Sequence, residues 1–200
     1  MARRWLVWPA LLLLGAAGPP SSDPDWPCMQ RLVPVLTAGT YWSGDLPAEA
    51  DWHADPRLPP VVAEVSASEE SAERGEARLA AFASTLAPDE RRKVLPVLFV
   101  GLVAATNVQR GAMIARIDEL TRRQRGVARV VDRLSQQLLQ TPADAAGPGG
   151  VSRDDITRQR DLVVRSFQEI QGTMRYACQA PVDLEARLGA YARTLQKAMQ

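Results

Sequence analysis

The chain has 200 residues, of which 46% are hydrophobic and only 6% aromatic, and its 24 basic side chains are balanced by 23 acidic ones. This length suits one domain, and a core with few aromatic residues favours helices packed on helices over a sheet sandwich. The near-neutral charge excludes a general basic surface for neutralising phosphates, so no nucleic-acid partner is expected.

The first residues have the three parts of a secretory signal peptide. Two arginines precede an apolar run at 5–14, and three small residues follow at 15–17. We expect cleavage after Ala17, because Pro19 would obstruct a cut one residue later. The run is shorter than the roughly 20 apolar residues that cross a bilayer, so no transmembrane helix is expected after processing. The protein is therefore predicted to be periplasmic or extracellular, exported by either the general secretory or the twin-arginine route.

The two cysteines are predicted to form a disulfide. In an exported chain, a pair of cysteines is oxidised more often than it is left as two thiols. A bridge between Cys28 and Cys178 would close a loop of 150 residues. Such a loop contributes about 4–5 kcal/mol in the chain-entropy model. A catalytic redox pair would have the spacing Cys-x-x-Cys, which the sequence lacks.

Residues 18–58 are predicted to form an irregular strap across a helical body. Together with the next two positions they hold nine of the 15 prolines, a density that prevents long helices and strands. The strap also carries aromatic side chains that could fasten it to the helices or could form a stacking platform for a sugar or a cationic ligand. These side chains are Trp26, Tyr41, Trp42 and Trp52.

A helical domain is predicted over residues 59–200. It begins with one helix or two short helices at 59–86 and continues with a long helix at 88–141, kinked or divided at Pro96. The stretch 94–105 is apolar on every side. Because about twelve residues are too few for a membrane span, we expect a helix buried on all faces.

Heptad spacing is the clearest pattern in the chain, because apolar residues recur there at alternating gaps of four and three. The first series is Met113, Ile117, Leu120, Gln124, Val127, Val131, Leu134 and Leu138. The second series is Ile156, Arg160, Val163, Phe167, Ile170, Met174 and Ala177.

These two series predict an antiparallel helical hairpin about 35 Å long, because each residue of a helix adds roughly 1.5 Å. A glycine- and proline-rich loop at 142–152 would join the arms, with Ser152 capping the second helix at 153–179. Pro181 is expected to end that helix, and a last helix is predicted at 182–198. The predicted fold class is all-α: an antiparallel hairpin or bundle with an irregular N-terminal strap.

Side chains for metal or nucleophilic chemistry are scarce. The single histidine, His53, lies in the strap between Asp51 and Asp55, and a surface loop explains it better than a catalytic relay. Metal and haem sites in helical bundles usually need histidines on the helices. We therefore predict no metal, no cofactor and no catalytic residue, although a pair of carboxylates for glycoside hydrolysis stays open.

Charge is unevenly distributed along the chain. Residues 45–76 are mainly acidic, whereas 110–133 carry seven arginines. The two regions could neutralise each other or coat solvated faces. Alternatively, a set that includes Arg122, Arg125 and Arg129 could present a basic surface to an acidic partner or to anionic lipid.

The preferred interpretation is a non-catalytic binding or accessory protein of the periplasm. It would act through protein–protein contacts of the hairpin, with an envelope protein or a second copy as partner. One alternative is a small-molecule binder with a pocket between the aromatic strap and the helices. A second alternative is an enzyme of unrecognised type.

Overall fold

The computed structural model describes residues 25–47, 50–67, 71–142 and 150–200. The predicted signal peptide at 1–17 and most of the predicted loop at 142–152 lie outside the described residues. Within the described ranges the chain is all-helical, with no strand. The α-helices are α1 at Leu58–Val65, α2 at Ala72–Ser84, α3 at Pro88–Gln140 and α4 at Arg153–Ala198. The strap is irregular apart from a 3₁₀ turn at Ala38–Thr40.

The region predicted as one helix or two short helices forms two. Two prolines occupy the first turn of α1, where a missing N–H removes no helical hydrogen bond. At the start of α2, the Ser71 hydroxyl accepts a hydrogen bond from the Arg74 N–H at 3.2 Å. This cap satisfies one of the N–H groups that a helix N-terminus leaves open.

Helix α3 runs for 53 residues and is not divided at Pro96. Pro96 is buried, and its neighbours Leu95, Leu98 and Phe99 are fully buried in the main core. Their burial offsets the hydrogen bond that the proline ring removes. The apolar stretch 94–105 is mostly buried, but Ala104 is exposed, so the expectation of burial on all faces was too strong.

Helix α3 also contains an 18-residue window that could cross a membrane by length and composition alone. The mean hydropathy of this window is 1.4, and 39% of it is buried inside the structure. A single window of this kind is weak evidence for a membrane span, because core helices of soluble proteins can meet the same test.

The predicted helix end at Pro181 is wrong. Helix α4 continues through this residue for 46 residues, so the predicted helices at 153–179 and 182–198 are one helix. Pro181 is fully buried at the next seam position after Ala177, and Leu184 and Leu188 continue the seam beyond it. Packing of the seam against α3 thus outweighs the roughly 3 kcal/mol by which an internal proline disfavours a helix.

The molecule has two parts, which we call the base and the arm. The base contains α1, α2, residues 88–112 of α3, residues 179–198 of α4 and most of the strap, around the largest hydrophobic cluster. The arm is the predicted antiparallel hairpin, residues 113–140 of α3 paired with 153–178 of α4. It contains two small clusters: one around Ile117, Leu120 and Met174, the other around Leu134, Leu138 and Ile156.

Candidate functional site

The predicted disulfide is confirmed, and it joins the strap to the arm. Cys28 and Cys178 are bonded, with 5.5 Å between their Cα atoms. Beside the bridge, the Gln30 side chain donates a hydrogen bond to the Cys178 carbonyl at 2.5 Å, and the Trp26 indole donates to the Gln30 carbonyl at 2.7 Å. The strap is therefore held at this point by covalent and polar contacts together.

A buried arginine fastens the middle of the strap. Arg110 is only 2% exposed, and its guanidinium forms an ion pair with Glu185 at 2.7 Å. The same guanidinium donates to the carbonyls of Val33 and Pro34 in the strap. Sequence reasoning missed this residue, although Arg110 stands one heptad before Ile117 and therefore in the seam.

Two amides complete the attachment of the strap to the long helices. Asn107 accepts from the Leu36 N–H at 2.8 Å and donates to the Leu36 carbonyl at 2.9 Å, so it pairs with the backbone as a neighbouring strand would. Gln196 donates to the Tyr41 carbonyl at 3.3 Å. These contacts satisfy backbone groups that an irregular segment would otherwise leave open.

The four aromatic residues proposed as a ligand platform lie in different places. Trp42 is buried in the main core and stacks on Phe99 at 5.0 Å, and Trp52 and Tyr41 pack against the same core. Trp26 packs against the arm cluster around Ile117, Leu120 and Met174. Partial burial raises the pKa of Tyr41. The aromatic residues thus fasten the strap, and none of the four lines either of the two grooves on the opposite flank of the arm.

His53 is exposed, and its ring lies against that of Trp52 in a tilted arrangement, with 3.6 Å between the ring centroids. Asp51 accepts a hydrogen bond from the His53 backbone N–H at 2.9 Å, while Asp55 forms an ion pair with Arg57 that lowers the pKa of this carboxyl. In the described part of the chain, neither carboxylate accepts a hydrogen bond from the His53 ring. Nor do three metal-ligating side chains come together there.

The predicted basic set is divided between two sides of the arm. Arg122 and Arg129 are exposed and stand seven residues apart on the outer face of α3, about 10 Å from each other. Arg125 lies on another side, where it forms an ion pair with Asp25 of the strap at 2.5 Å and lowers the pKa of that carboxyl. The strap therefore covers the flank of the arm that carries Arg125.

The opposite flank of the arm is not covered by the described part of the strap, residues 25–47 and 50–57, and contains two grooves. By helical periodicity, Arg116, Arg123 and Val130 lie on the other side of the seam from Asn107 and Arg125. We call this flank, on α3 and the facing side of α4, the open face. At its base end, a groove of about 1050 Å³ lies between the α1–α2 connection, α3 and α4.

A second groove of about 540 Å³ lies in the middle of the arm. Its lining residues are Arg123, Gly126, Val127, Val130, Leu162, Val163 and Ser166. Two small residues, Gly126 and Ser166, leave room here, so the groove reaches the half-buried seam residues Val127 and Val163. Leu162, at the edge of the groove, is 60% exposed.

Comparisons with family models, curated proteins and solved structures give no match to this chain. The geometry of the arm therefore carries the functional argument. Its central feature is an apolar groove in the gap between two hydrophobic clusters, with an exposed leucine at its edge.

Proposed function

We propose that this is an exported, non-catalytic accessory protein that acts through protein–protein contacts made by the helical arm. The observation that carries the proposal is the mid-arm groove on the open face, which exposes seam residues together with Leu162. A soluble protein gains free energy by covering such a groove, and an apolar stripe of another helix is the shape that fits it.

Export is supported by two features of the chain. The N-terminal pattern is that of a cleaved signal peptide. The disulfide between Cys28 and Cys178 is of a kind that is more common in oxidising compartments than in the cytosol. Both features are consistent with work in the periplasm or outside the cell.

A contact function also agrees with the way polar side chains are used. Buried or partly buried polar groups such as Arg110, Asn107 and Gln30 hold the strap in place. A catalytic site would instead aim polar groups at a cavity. The lining of the mid-arm groove contains two polar residues, Arg123 and Ser166. Its other residues are glycine, valine and leucine.

Photocrosslinking in the native host tests the proposal. A crosslinking amino acid at Leu162 would probe the open face, and the same amino acid at Arg129 on the outer face of α3 provides the matched control. We expect a defined protein adduct from position 162 and none from position 129. If position 162 gives no adduct, or both positions give the same one, the arm is not a specific contact surface.

A second candidate function, the binding of an apolar small molecule, rests on the groove at the base end of the open face. Its volume of about 1050 Å³ suits a ligand, and its alanine-rich lining includes Arg116 and Arg187. Medium-chain fatty acids combine an apolar chain with a carboxylate for these arginines. A rise in melting temperature with these acids, reduced in an Arg187→Gln variant, would support this function; no rise with any of them would oppose it.

A further inference from the structure

The arm carries more positive charge than the rest of the chain. It contains 11 arginines and seven carboxylates, a net charge of +4, whereas the net charge of the whole chain is +1. Part of this charge is neutralised locally, because Arg116 pairs with Glu119 and Arg158 pairs with Asp155. The arginines that have no such partner determine which kind of molecule the arm attracts.

Three arginines on or beside the open face form no ion pair with the described residues of the chain. Arg123 lines the mid-arm groove, and Arg133 lies further along α3 on the same flank by helical periodicity. On α4, Arg165 is exposed three residues after Leu162. One unpaired carboxylate, Glu169, lies nearer to the base, so the surroundings of the groove keep a net positive charge.

The open face also exposes apolar side chains along its length. Leu162 and Tyr176 are 60% and 79% exposed and stand two heptads apart, so they project from the same side of α4 about 21 Å from each other. Asp183, one heptad further, lines the groove at the base end, which places Tyr176 between the two grooves. Gly126 and Ser166 leave room between α3 and α4 in the mid-arm groove. The face therefore forms a shallow trough with a leucine and a tyrosine along one edge.

We propose that the open face binds a single amphipathic helix of a partner protein, with an apolar stripe that glutamate or aspartate flanks on both sides. The stripe would enter the mid-arm groove and cover Leu162, the usual way in which such a helix lies in a hydrophobic groove. Carboxylates on its flanks would pair with Arg123 and Arg133 on α3 and with Arg165 on α4. This contact covers apolar surface and neutralises the unpaired arginines at the same time.

The shape of this flank favours one helix over a larger partner. The α1–α2 connection lines the groove at the base end of the open face, so a globular domain lying along the flank would collide with it. A single helix is about 10–12 Å wide and fits between this connection and the tip of the arm. About 25 residues of α3 and of α4 lie beyond the connection, which gives the helix a length of roughly 37 Å to follow.

This inference rests on the proposed function, because it takes the open face to be the contact surface. Its test uses two labelled synthetic peptides of about 20 residues, roughly 30 Å as a helix, with the same apolar stripe. Glutamate flanks the stripe in one peptide, and lysine flanks it in the other. Fluorescence anisotropy with the processed, disulfide-bonded chain should show that the glutamate peptide binds about 10-fold more tightly than the lysine peptide, or better.

Charge reversal on the protein should exchange this preference. The Arg123→Glu/Arg165→Glu variant should bind the glutamate peptide about 10-fold more weakly and the lysine peptide more tightly. Leu162→Ser should also weaken the glutamate peptide, because the apolar contact is reduced. The matched control is Arg175→Glu: Arg175 is exposed on α4 but lines the groove beside the disulfide, on the strap flank. This variant should change either affinity by less than about 2-fold, because salt screens distant charges.

Three results would overturn the acidic-helix proposal: no binding of the glutamate peptide, equal binding of the two peptides, or an equal loss with Arg175→Glu. Vesicles of phosphatidylglycerol provide a fourth check. If they displace the glutamate peptide and their own binding needs Arg123 and Arg165, the arginines serve a lipid surface and the proposal is rejected.

The crosslinking at position 162 separates this failure from the failure of the proposed function. An adduct with an acidic helix of a partner protein supports both proposals. An adduct with any other protein segment, a second copy of this chain included, keeps the proposed function and rejects the acidic helix. No adduct rejects both.

Discussion

At the scale of single residues, a glycine allows α2 and α4 to approach each other closely. Gly75 in α2 lies against Tyr191 of α4, and a Cβ atom at this position would be 2.1 Å from the Tyr191 hydroxyl oxygen. Tyr191 is itself buried and donates a hydrogen bond to the Val65 carbonyl at 3.4 Å. The ring cannot retreat without losing this contact, so α2 and α4 depend on a residue without a side chain.

We therefore expect Gly75→Ala to lower the free energy of unfolding by about 1–3 kcal/mol, the usual effect of overpacking a core. Gly172→Ala is the matched control, because Gly172 lies inside α4 and a Cβ there meets no atom within 4 Å. That substitution should stabilise the protein by about 0.5–1 kcal/mol through helix propensity. Urea denaturation measures both values, and a neutral Gly75→Ala variant would show that the Tyr191 contact is not tight.

The start of α4 depends on a reciprocal cap at Ser152. The Ser152 hydroxyl accepts from the Asp155 N–H at 3.1 Å and donates to the Asp155 carboxylate at 2.6 Å. Ser152→Ala should lower the free energy of unfolding by about 1 kcal/mol. The predicted cap residue is the observed one, so this prediction could have been made from the sequence. Urea denaturation measures the loss, and a loss smaller than the experimental error would contradict the prediction.

The same cap makes stability sensitive to acid. The hydrogen bond from Ser152, followed by that from Arg158, lowers the pKa of Asp155 below its ordinary value of 3.8. A carboxyl with a lowered folded-state pKa stabilises the fold above pH 3.8, and this stabilisation is lost as the pH falls through the folded-state value. Asp155→Asn should flatten the decline of stability between pH 4 and pH 2, as measured by denaturation at several pH values. An unchanged acid limb would contradict the assignment.

At the scale of elements, the long helices follow from the heptad pattern, and the one wrong boundary has a physical explanation. Pro181 was expected to end α4 because proline removes an internal hydrogen bond. The gaps of four and three, however, continue without a phase change through Ala177, Pro181, Leu184 and Leu188. An unbroken phase means that both segments bury the same side against α3. The register was therefore a better guide than the local preference of one residue.

The docking of the strap could not be predicted, because it depends on contacts between residues far apart in the chain. Nothing in the proline-rich segment indicates that Leu36 pairs with Asn107, 71 positions away. The open face could be predicted only in part. The heptad pattern predicts the seam, but which flank of the seam stays uncovered depends on where the strap lies. The small residues Gly126 and Ser166 beside the seam were the signal that a groove could form there.

The contribution of Arg110 to the attachment of the strap can be tested by substitution. Arg110→Leu would leave Glu185 and two strap carbonyls without their buried donor. Because the Glu185 side chain is 34% exposed, water can solvate its carboxylate, and we expect a loss of about 1–3 kcal/mol, mainly from the strap carbonyls left without a donor. Arg122→Leu, on the exposed outer face of α3, should change stability by less than about 0.5 kcal/mol. Denaturation gives the energies, and limited proteolysis should cut the strap faster only in the Arg110 variant.

At the scale of the whole molecule, the base and the arm are stabilised in different ways. The base has a large core in which two short helices, the strap and both long helices meet. The arm has only two small clusters, and the seam between them includes the polar residues Gln124 and Arg160. Local stability therefore falls toward the middle of the arm, which is where the open face exposes its groove. A partner that covers the groove would therefore stabilise the region of the molecule with the lowest local stability.

The disulfide joins the start of the strap to the arm and closes a long loop of the chain. Cys28 is separated from Cys178 by 150 residues, so the unfolded chain loses much of its freedom when they are joined. In the chain-entropy model, the Cys28→Ser/Cys178→Ser variant should lose about 4–5 kcal/mol of stability. The helices should persist, because Arg110, Asn107 and Gln196 still hold the strap to them.

Circular dichroism during urea denaturation measures the effect, with the native protein in reductant as a second way of opening the bridge if the variant fails to fold. Both should unfold at lower urea than the oxidised protein, with similar helical signals before the transition. Alkylation of the protein taken from its native compartment should find no free thiol. Two reactive thiols there would contradict the bridge and remove a main support for export, because an oxidised pair is the feature of the folded chain that indicates an oxidising compartment.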